Sequence, residues 1–214
     1  MEGRRIFGWD IDIDVNKRVP VCAGLGGGSS DAAAVLRALN MLFNEKMTAD
    51  ELRVLADRLG SDVPYCVTFG TARAEGRGNI ITSLNDLPTC DIVICKPSFA
   101  ISTPSLFREL DERGITEHPD TAAVEAAVGC GDLPGVARNM SNVFESVLGA
   151  RGDMVKSIKA IMLEHRALGA VMSGTGSAVF ALYDNPQNAK SAAEVLRQSW
   201  DEIFLCKSIT GIEL

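Results

Sequence analysis

Histidine is nearly missing from this chain. Only His118 and His165 occur in 214 residues, and none of the six cysteines, Cys22, Cys66, Cys90, Cys95, Cys130 and Cys206, forms a C-x-x-C pair. That excludes a zinc site as the organising feature and leaves buried free thiols in a reducing compartment as the plain reading. Long apolar runs are also missing: none approaches the roughly eighteen residues of a membrane span. No basic-then-apolar leader opens the sequence, so the expectation is a cytoplasmic protein with no membrane partner. Positive charge is the minority sign, 21 Lys and Arg against 28 Asp and Glu, for a net charge of −7. That balance argues against a general nucleic-acid binder. It leaves an anionic small molecule open, because a helix N-terminus and a few cations act locally. With 46% hydrophobic and 23% charged residues, the chain suits one or two globular domains.

What is present is glycine, concentrated. Pro20-Val21-Cys22-Ala23-Gly24-Leu25-Gly26-Gly27-Gly28-Ser29-Ser30-Asp31 runs straight into an alanine-rich helical stretch. Glycine permits positive φ and lets another group approach the main chain. Ser29 or Ser30 is expected to cap the following helix. Unpaired N–H groups and a helix dipole then converge, which makes a phosphate site. A mobile linker would use similar residues, but linkers rarely lead into a capped apolar helix. No Lys follows the glycines, so this is not a Walker A loop. Ser29 stands where a dinucleotide fingerprint needs its last glycine.

The remaining pattern is that of an α+β chain. Gly8–Val15 alternates apolar and acidic residues and predicts a half-exposed strand. Residues 32–43 read as a helix apolar all round, hence buried. Thr48-Ala-Asp-Glu51 is a capping box, with Leu52, Leu55, Ala56 and Leu59 on one face of a helix that Gly60 ends. Residues 69–75 and 80–84 read as strands around Gly76-Arg77-Gly78. Pro88 and Asp91 bracket a domain boundary, giving domains 1–88 and 89–214. Asp91–Cys95 is a buried strand. Thr103 is the expected cap of a helix with Pro104 at its first position and Leu106, Phe107 and Leu110 inside. Helices follow over 121–128, 133–148 and 153–165. Strands at 169–173 and 178–183, a helix at 188–200 and a strand at 203–207 complete a β-α-β-β-α-β order, ferredoxin-like if the helices form one layer.

Few residues carry chemistry on their own pattern. Asp62 sits between a helix stop and Val63-Pro64, where a carboxylate near a bound phosphoryl donor could accept a hydroxyl proton; an ordinary helix N-terminal Asp fits the same spacing. Ser173-Gly174-Thr175-Gly176-Ser177 is a second glycine turn that a tight hairpin would also use. Arg77 fits a solvated turn, and Lys17 precedes the glycine loop where an ATP contact would be.

Five runs fall in order: Lys17-x-x-Pro20-x3-Gly24-Leu-Gly-Gly-Gly-Ser-Ser-Asp-Ala-Ala, Leu59-Gly-Ser-Asp62-Val-Pro-Tyr65, Ala74-Glu-Gly-x-Gly78, Lys96-Pro-x4-Ser102-Thr-Pro and Met172-Ser-Gly-Thr-Gly176. Together they resemble the GHMP kinases, in the branch acting on a cytidine diphosphate sugar-alcohol. The resemblance implies a ribosomal-protein-S5-like N-terminal domain, here incomplete, and a ferredoxin-like C-terminal domain. It implies ATP with Mg2+, and phosphorylation of the 2-hydroxyl of a methylerythritol in non-mevalonate isoprenoid precursor synthesis. Lys17, Pro20, Val21, Cys22, Ala23, Gly24, Leu25, Gly26, Gly27, Gly28, Ser29 and Ser30 would line the ATP phosphates. Asp62 would be the catalytic base. Thr103 and Phe107 match positions near the cytidine end, and Arg77 is a further substrate-side candidate. No protein-held metal site is expected.

The family's opening Pro-x-Lys-x-Asn strand, whose Lys pairs with the catalytic Asp, is not in this sequence, nor are the residues that read cytosine and help hold adenine. The expectation is a chain lacking roughly 70–80 residues, about half a domain, with impaired turnover. Cys22 and Ala23 also replace glycines seen in some members. Two other readings stay open, a non-catalytic nucleotide-binding fragment and a GHMP kinase for another small alcohol. Oligomeric state is left open.

Overall fold

The computed structural model describes residues 10–44, 46–115 and 118–209. The glycine loop leads into helix α1 (Gly27–Leu42), followed by α2 (Ala49–Asp57) and the short α3 (Val63–Thr68). A hairpin of β1 (Ala72–Glu75) and β2 (Ile80–Ser83) closes this half. Local rules account for α2: the Thr48 hydroxyl accepts from the Glu51 N–H while the Glu51 carboxylate accepts from the Thr48 N–H. Leu52 and Ala56 then pack with Ala33, Val63 and Val67. Leu59, expected on that face, lies beyond the helix end and is exposed.

The second half is built on a four-stranded antiparallel sheet of order β4-β5-β3-β6, from β3 (Asp91–Lys96), β4 (Gly169–Met172), β5 (Val179–Tyr183) and β6 (Glu202–Lys207). This is the ferredoxin-like strand order. Its helices, however, form two layers and not one. Val93, Cys95, Val179, Ala181 and Tyr183 face a core with α4 (Thr103–Arg113), α7 (Arg151–Glu164) and α8 (Pro186–Leu196). The alternate residues Ile92, Phe180 and Leu182 face α5 (Thr121–Gly129) and α6 (Leu133–Asn139). Burial on both faces explains why β3 reads as an unbroken apolar run. Side-chain caps start α5, α6 and α8: Asp120 accepts from Ala123 N–H, Asp132 from Gly135 N–H and Asn185 from Gln187 N–H, each at 2.9 Å. Among the described residues no helix is long and apolar enough to cross a membrane.

Several expectations fail, each for a tertiary reason. Asp10–Val15 is not a strand, and Ile11, Ile13 and Val15 are exposed. No described strand lies beside it to take its backbone hydrogen bonds, and alternation alone cannot supply them; Gly8 and Trp9 lie outside the described residues. Helix α1 is half-buried, with only Ala33 fully inside and Met41 and Leu42 exposed, because α2 and α3 cover one side. Residues 133–148 do not form one helix. α6 stops at Asn139, and a 3-10 turn (Val143–Val147) follows, because the Asn142 side chain is committed to β4 and the turn beyond it. The thiols are not all buried: Cys90 and Cys95 are, Cys66 is half-buried, and Cys22, Cys130 and Cys206 are exposed.

Candidate active site

Neither serine caps α1. The N-cap position belongs to Gly26 in a left-handed conformation, no side chain bonds there, and Ser29 and Ser30 lie inside the first turn. Ser30 N–H already donates to Gly26 O at 2.8 Å. The N–H groups of Gly27, Gly28 and Ser29 precede the first intrahelical bond and have no partner among the described residues. The helix therefore presents open donors at its positive end.

The loop is held from the second domain. The Ser173 hydroxyl donates to Gly24 O at 2.9 Å, and Ala178 N–H donates to Ala23 O at 3.0 Å. Gly24 has φ +72°, and a Cβ there would overlap the Ser173 carbonyl oxygen. The two glycine turns of the sequence thus lie backbone to backbone. Lys17 crosses the start of α1, its ammonium paired with Asp31.

Asp62 occupies the N-cap position of α3 but makes no capping bond, so its carboxylate is not consumed by its own helix. The hairpin turn closes on it: a Cβ at Gly78, φ +98°, would lie 3.0 Å from Ser61 O and 3.6 Å from Asp62 Oδ1. Cys66, on the same short helix, has its thiol pushed up by burial first and by the Asp62 charge second, against the Arg37 guanidinium. Arg77 is at the tip of the same turn and pairs with Asp57 at 3.4 Å.

One cavity of about 890 Å³ gathers these parts. Lys17, all of Pro20 to Ser29, Asp62, Arg77, Thr103 and Phe107 line it; Ser30 does not. Thr103 is not the cap of α4. Ser102 holds that position without a side-chain bond, and the Thr103 hydroxyl lies 2.9 Å from that of Thr175. Phe107 is not in the core with Leu106 and Leu110 either. It is half-exposed and meets Phe144 edge-on, ring centroids 4.9 Å apart at 77°. Gly174, Thr175 and Gly176 of the second glycine turn also line it, and Phe144, Ser61, Asp31 and Ile101, not singled out as site residues in the sequence, complete the lining. Asp31 and Ser61 could have been found from their places beside Ser30 and Asp62 within the motif runs; Ile101 and Phe144 had no local signal.

Among the described residues no three metal-binding side chains come together. The carboxylates that line the cavity are Asp31 and Asp62. That donor set suits a cation arriving on nucleotide phosphates, since Mg2+ keeps most of its waters and takes one or two carboxylates.

Comparison with known proteins adds an independent line. Residues 3–70 match the model for the GHMP kinases N terminal domain, and residues 122–202 that for GHMP kinases C terminal. The chain is 43% identical over 199 residues to the 4-diphosphocytidyl-2-C-methyl-D-erythritol kinase of Enterococcus faecalis, covering 93% of this chain and 70% of that protein. It is 41% identical over 197 residues to the protein of that name from Listeria monocytogenes, covering 92% and 67%. A crystal structure of 4-(cytidine 5'-diphospho)-2C-methyl-D-erythritol kinase superposes with TM-score 0.75 at 34% identity, over 89% of this chain and 68% of that one. Homoserine kinase from Cytophaga hutchinsonii, at 19% identity and TM-score 0.67, covering 91% and 68%, shares the fold.

Proposed function

The chain belongs to the 4-diphosphocytidyl-2-C-methyl-D-erythritol kinase family of the GHMP kinases, and on that premise we propose that it transfers the γ-phosphoryl group of ATP to the 2-hydroxyl of that cytidine diphosphate sugar-alcohol, in the cytoplasm, for non-mevalonate isoprenoid precursor synthesis. One observation carries the reading. A single cavity holds a helix N-terminus with open donors, an uncapped aspartate and an aromatic pair on the opposite domain.

In this reading the N–H groups at the start of α1 bind the ATP phosphates, and Lys17 leaves Asp31 to join them. Asp62 accepts the proton of the substrate hydroxyl as its oxygen bonds to the γ-phosphorus and the bond to ADP breaks. Thr103, Phe107 and Phe144 hold the cytidine end, with Arg77 at the rim. Residues 1–88 supply phosphate binding and the base; residues 89–214 supply the substrate wall and brace the loop. Mg2+ bound with the nucleotide would offset phosphate charge, with Asp31 as the carboxylate at the phosphate end of the cavity.

One observation favours a narrower activity, nucleotide binding with slow turnover. The two cations lining the cavity, Lys17 and Arg77, pair with Asp31 and Asp57, and among the described residues none pairs with Asp62. A base with no cation beside it would lose about 10²–10³-fold in rate.

The test separates binding from chemistry. ATP affinity is measured by titration, and phosphoryl transfer to the cytidyl substrate by ADP release. Asp62→Asn should bind ATP like the parent chain and lose turnover by about 10²–10⁴-fold. Equal turnover in the two would remove Asp62 from the base role; a parent chain that does not bind ATP would refute the kinase reading itself.

A further inference from the structure

β4 is an edge strand, and the N–H and C=O of its last residue, Met172, point away from β5 with no strand among the described residues to receive them. Two side chains from the segment after α6 take their place. Glu145 Oε1 accepts from Met172 N–H at 2.8 Å, with Glu145 Oε2 held by Lys159 Nζ at 2.6 Å. Asn142 Nδ2 donates to Met172 O at 2.8 Å and to Gly174 O at 2.7 Å. The orientation of that amide is settled by its other end, because Asn142 Oδ1 accepts from Phe144 N–H at 3.0 Å. One amide therefore ties the end of β4 to the glycine turn.

We propose that Asn142 is a positioning residue for the phosphate loop, acting through the Ser173–Gly176 turn. The inference rests on the kinase reading above. Asn142 does not line the active-site cavity. Its effect travels by two links: its own bonds to Met172 O and Gly174 O, then the Ser173 hydroxyl on Gly24 O and the Ala178 N–H on Ala23 O. The contact between turns is close enough to transmit a small displacement, since a Cβ at Gly174 would lie 3.2 Å from Gly24 O. The break in the helical pattern at Met140–Asn142 exists because the Asn142 side chain must reach this turn.

The test uses the full chain with Asn142→Asp, Ser173→Ala and the double variant. Asn142→Asp keeps the acceptor for Phe144 N–H but sets a carboxylate oxygen against two carbonyl oxygens, so the turn must move. The readouts are affinity for a fluorescent ATP analogue, KM for ATP and for the cytidyl alcohol, kcat, and thermal melting. The expected result is ATP affinity about tenfold weaker in Asn142→Asp, with KM for ATP raised more than KM for the alcohol. Ser173→Ala should weaken ATP binding severalfold, and the double variant should be no worse than Asn142→Asp, because both act on one linkage. A lowered melting point with parental ATP affinity would make Asn142 merely structural and overturn the proposal, as would additive losses. If Asn142→Asp does not fold, Ser173→Ala decides alone, and parental ATP affinity there overturns it. A parent chain that binds no ATP would overturn the kinase reading and this inference with it.

Discussion

Replacing Gly24 by alanine should damage the protein far more than the same change at Gly26. Both glycines have positive φ, +72° and +64°. A left-handed backbone costs an alanine about 1–2 kcal/mol at either position. Only at Gly24 does the new methyl meet neighbouring backbone. It would overlap the Ser173 carbonyl oxygen and lie 2.9 Å from Gly176 N and 3.0 Å from the Ser173 carbonyl carbon, where ordinary contact begins at 3.4 Å; at Gly26 nothing lies within 4 Å. Backbone cannot swing aside as a side chain can, so the two loops must separate. That breaks the Ser173 hydroxyl bond to Gly24 O and the Ala178 N–H bond to Ala23 O. Each is worth about 1 kcal/mol net. The expected total is about 3–4 kcal/mol for Gly24→Ala against about 1–2 for Gly26→Ala. In a chain of this size 1 kcal/mol moves the melting point by about 2–4 °C. Calorimetric melting of both variants, with an ATP titration of each, reads the difference. Gly24→Ala should also bind ATP worse, because the loop that gives way is the proposed phosphate site. Equal melting points and equal ATP affinities for the two alanines would refute the packing argument.

Three further outcomes are expected. Maleimide should label Cys22 in the absence of nucleotide, and ATP should protect Cys22 but not the exposed Cys130 and Cys206; mass spectrometry of the labelled chain reads this, and unprotected Cys22 would move the nucleotide away from the loop. Phe144→Ala removes the edge contact with Phe107, worth about 0.5–1.5 kcal/mol, and should raise KM for the cytidyl substrate up to about tenfold with ATP affinity unchanged; a change in ATP affinity alone would reverse the assignment of the two ends of the cavity. Burial pushes the Cys95 thiol from an ordinary 9.0 up to about 12 and raises the Tyr183 phenol as well. Between those limits the unfolded chain has released the Cys95 proton and the folded chain has not, so stability is complete below pH 9 and falls above it, by about 1.4 kcal/mol per pH unit for one group. Urea unfolding from pH 7 to 11 should show that decline, and Cys95→Ala should make it shallower; an identical slope would show that the decline has another source.

What the sequence determined on its own lies within a few residues' reach. The capping box at Thr48 and Glu51, the turn at Gly76–Gly78, the apolar β3 and the glycine run before α1 all follow from local φ/ψ limits, capping and side-chain period, which operate in a short window. The resemblance to GHMP kinases was legible for the same reason, because its motifs are contiguous. Tertiary structure decided the rest. Asp10–Val15 has the alternation of a strand, but a strand needs a neighbour, and its pattern could not say whether one was present. Phe107 has the spacing of a core residue beside Leu106 and Leu110, yet it lies half-exposed, edge-on against Phe144 from another segment. The helical pattern over 133–148 gave way because Asn142 bonds to carbonyls 30 and 32 positions ahead. Gly24 itself is the clearest case. Its residue type could be read as a requirement for left-handed backbone, but the partner that excludes any side chain is Ser173, bonded across 149 positions. Such a contact is made when two domains pack, and no local rule encodes which residues then face each other.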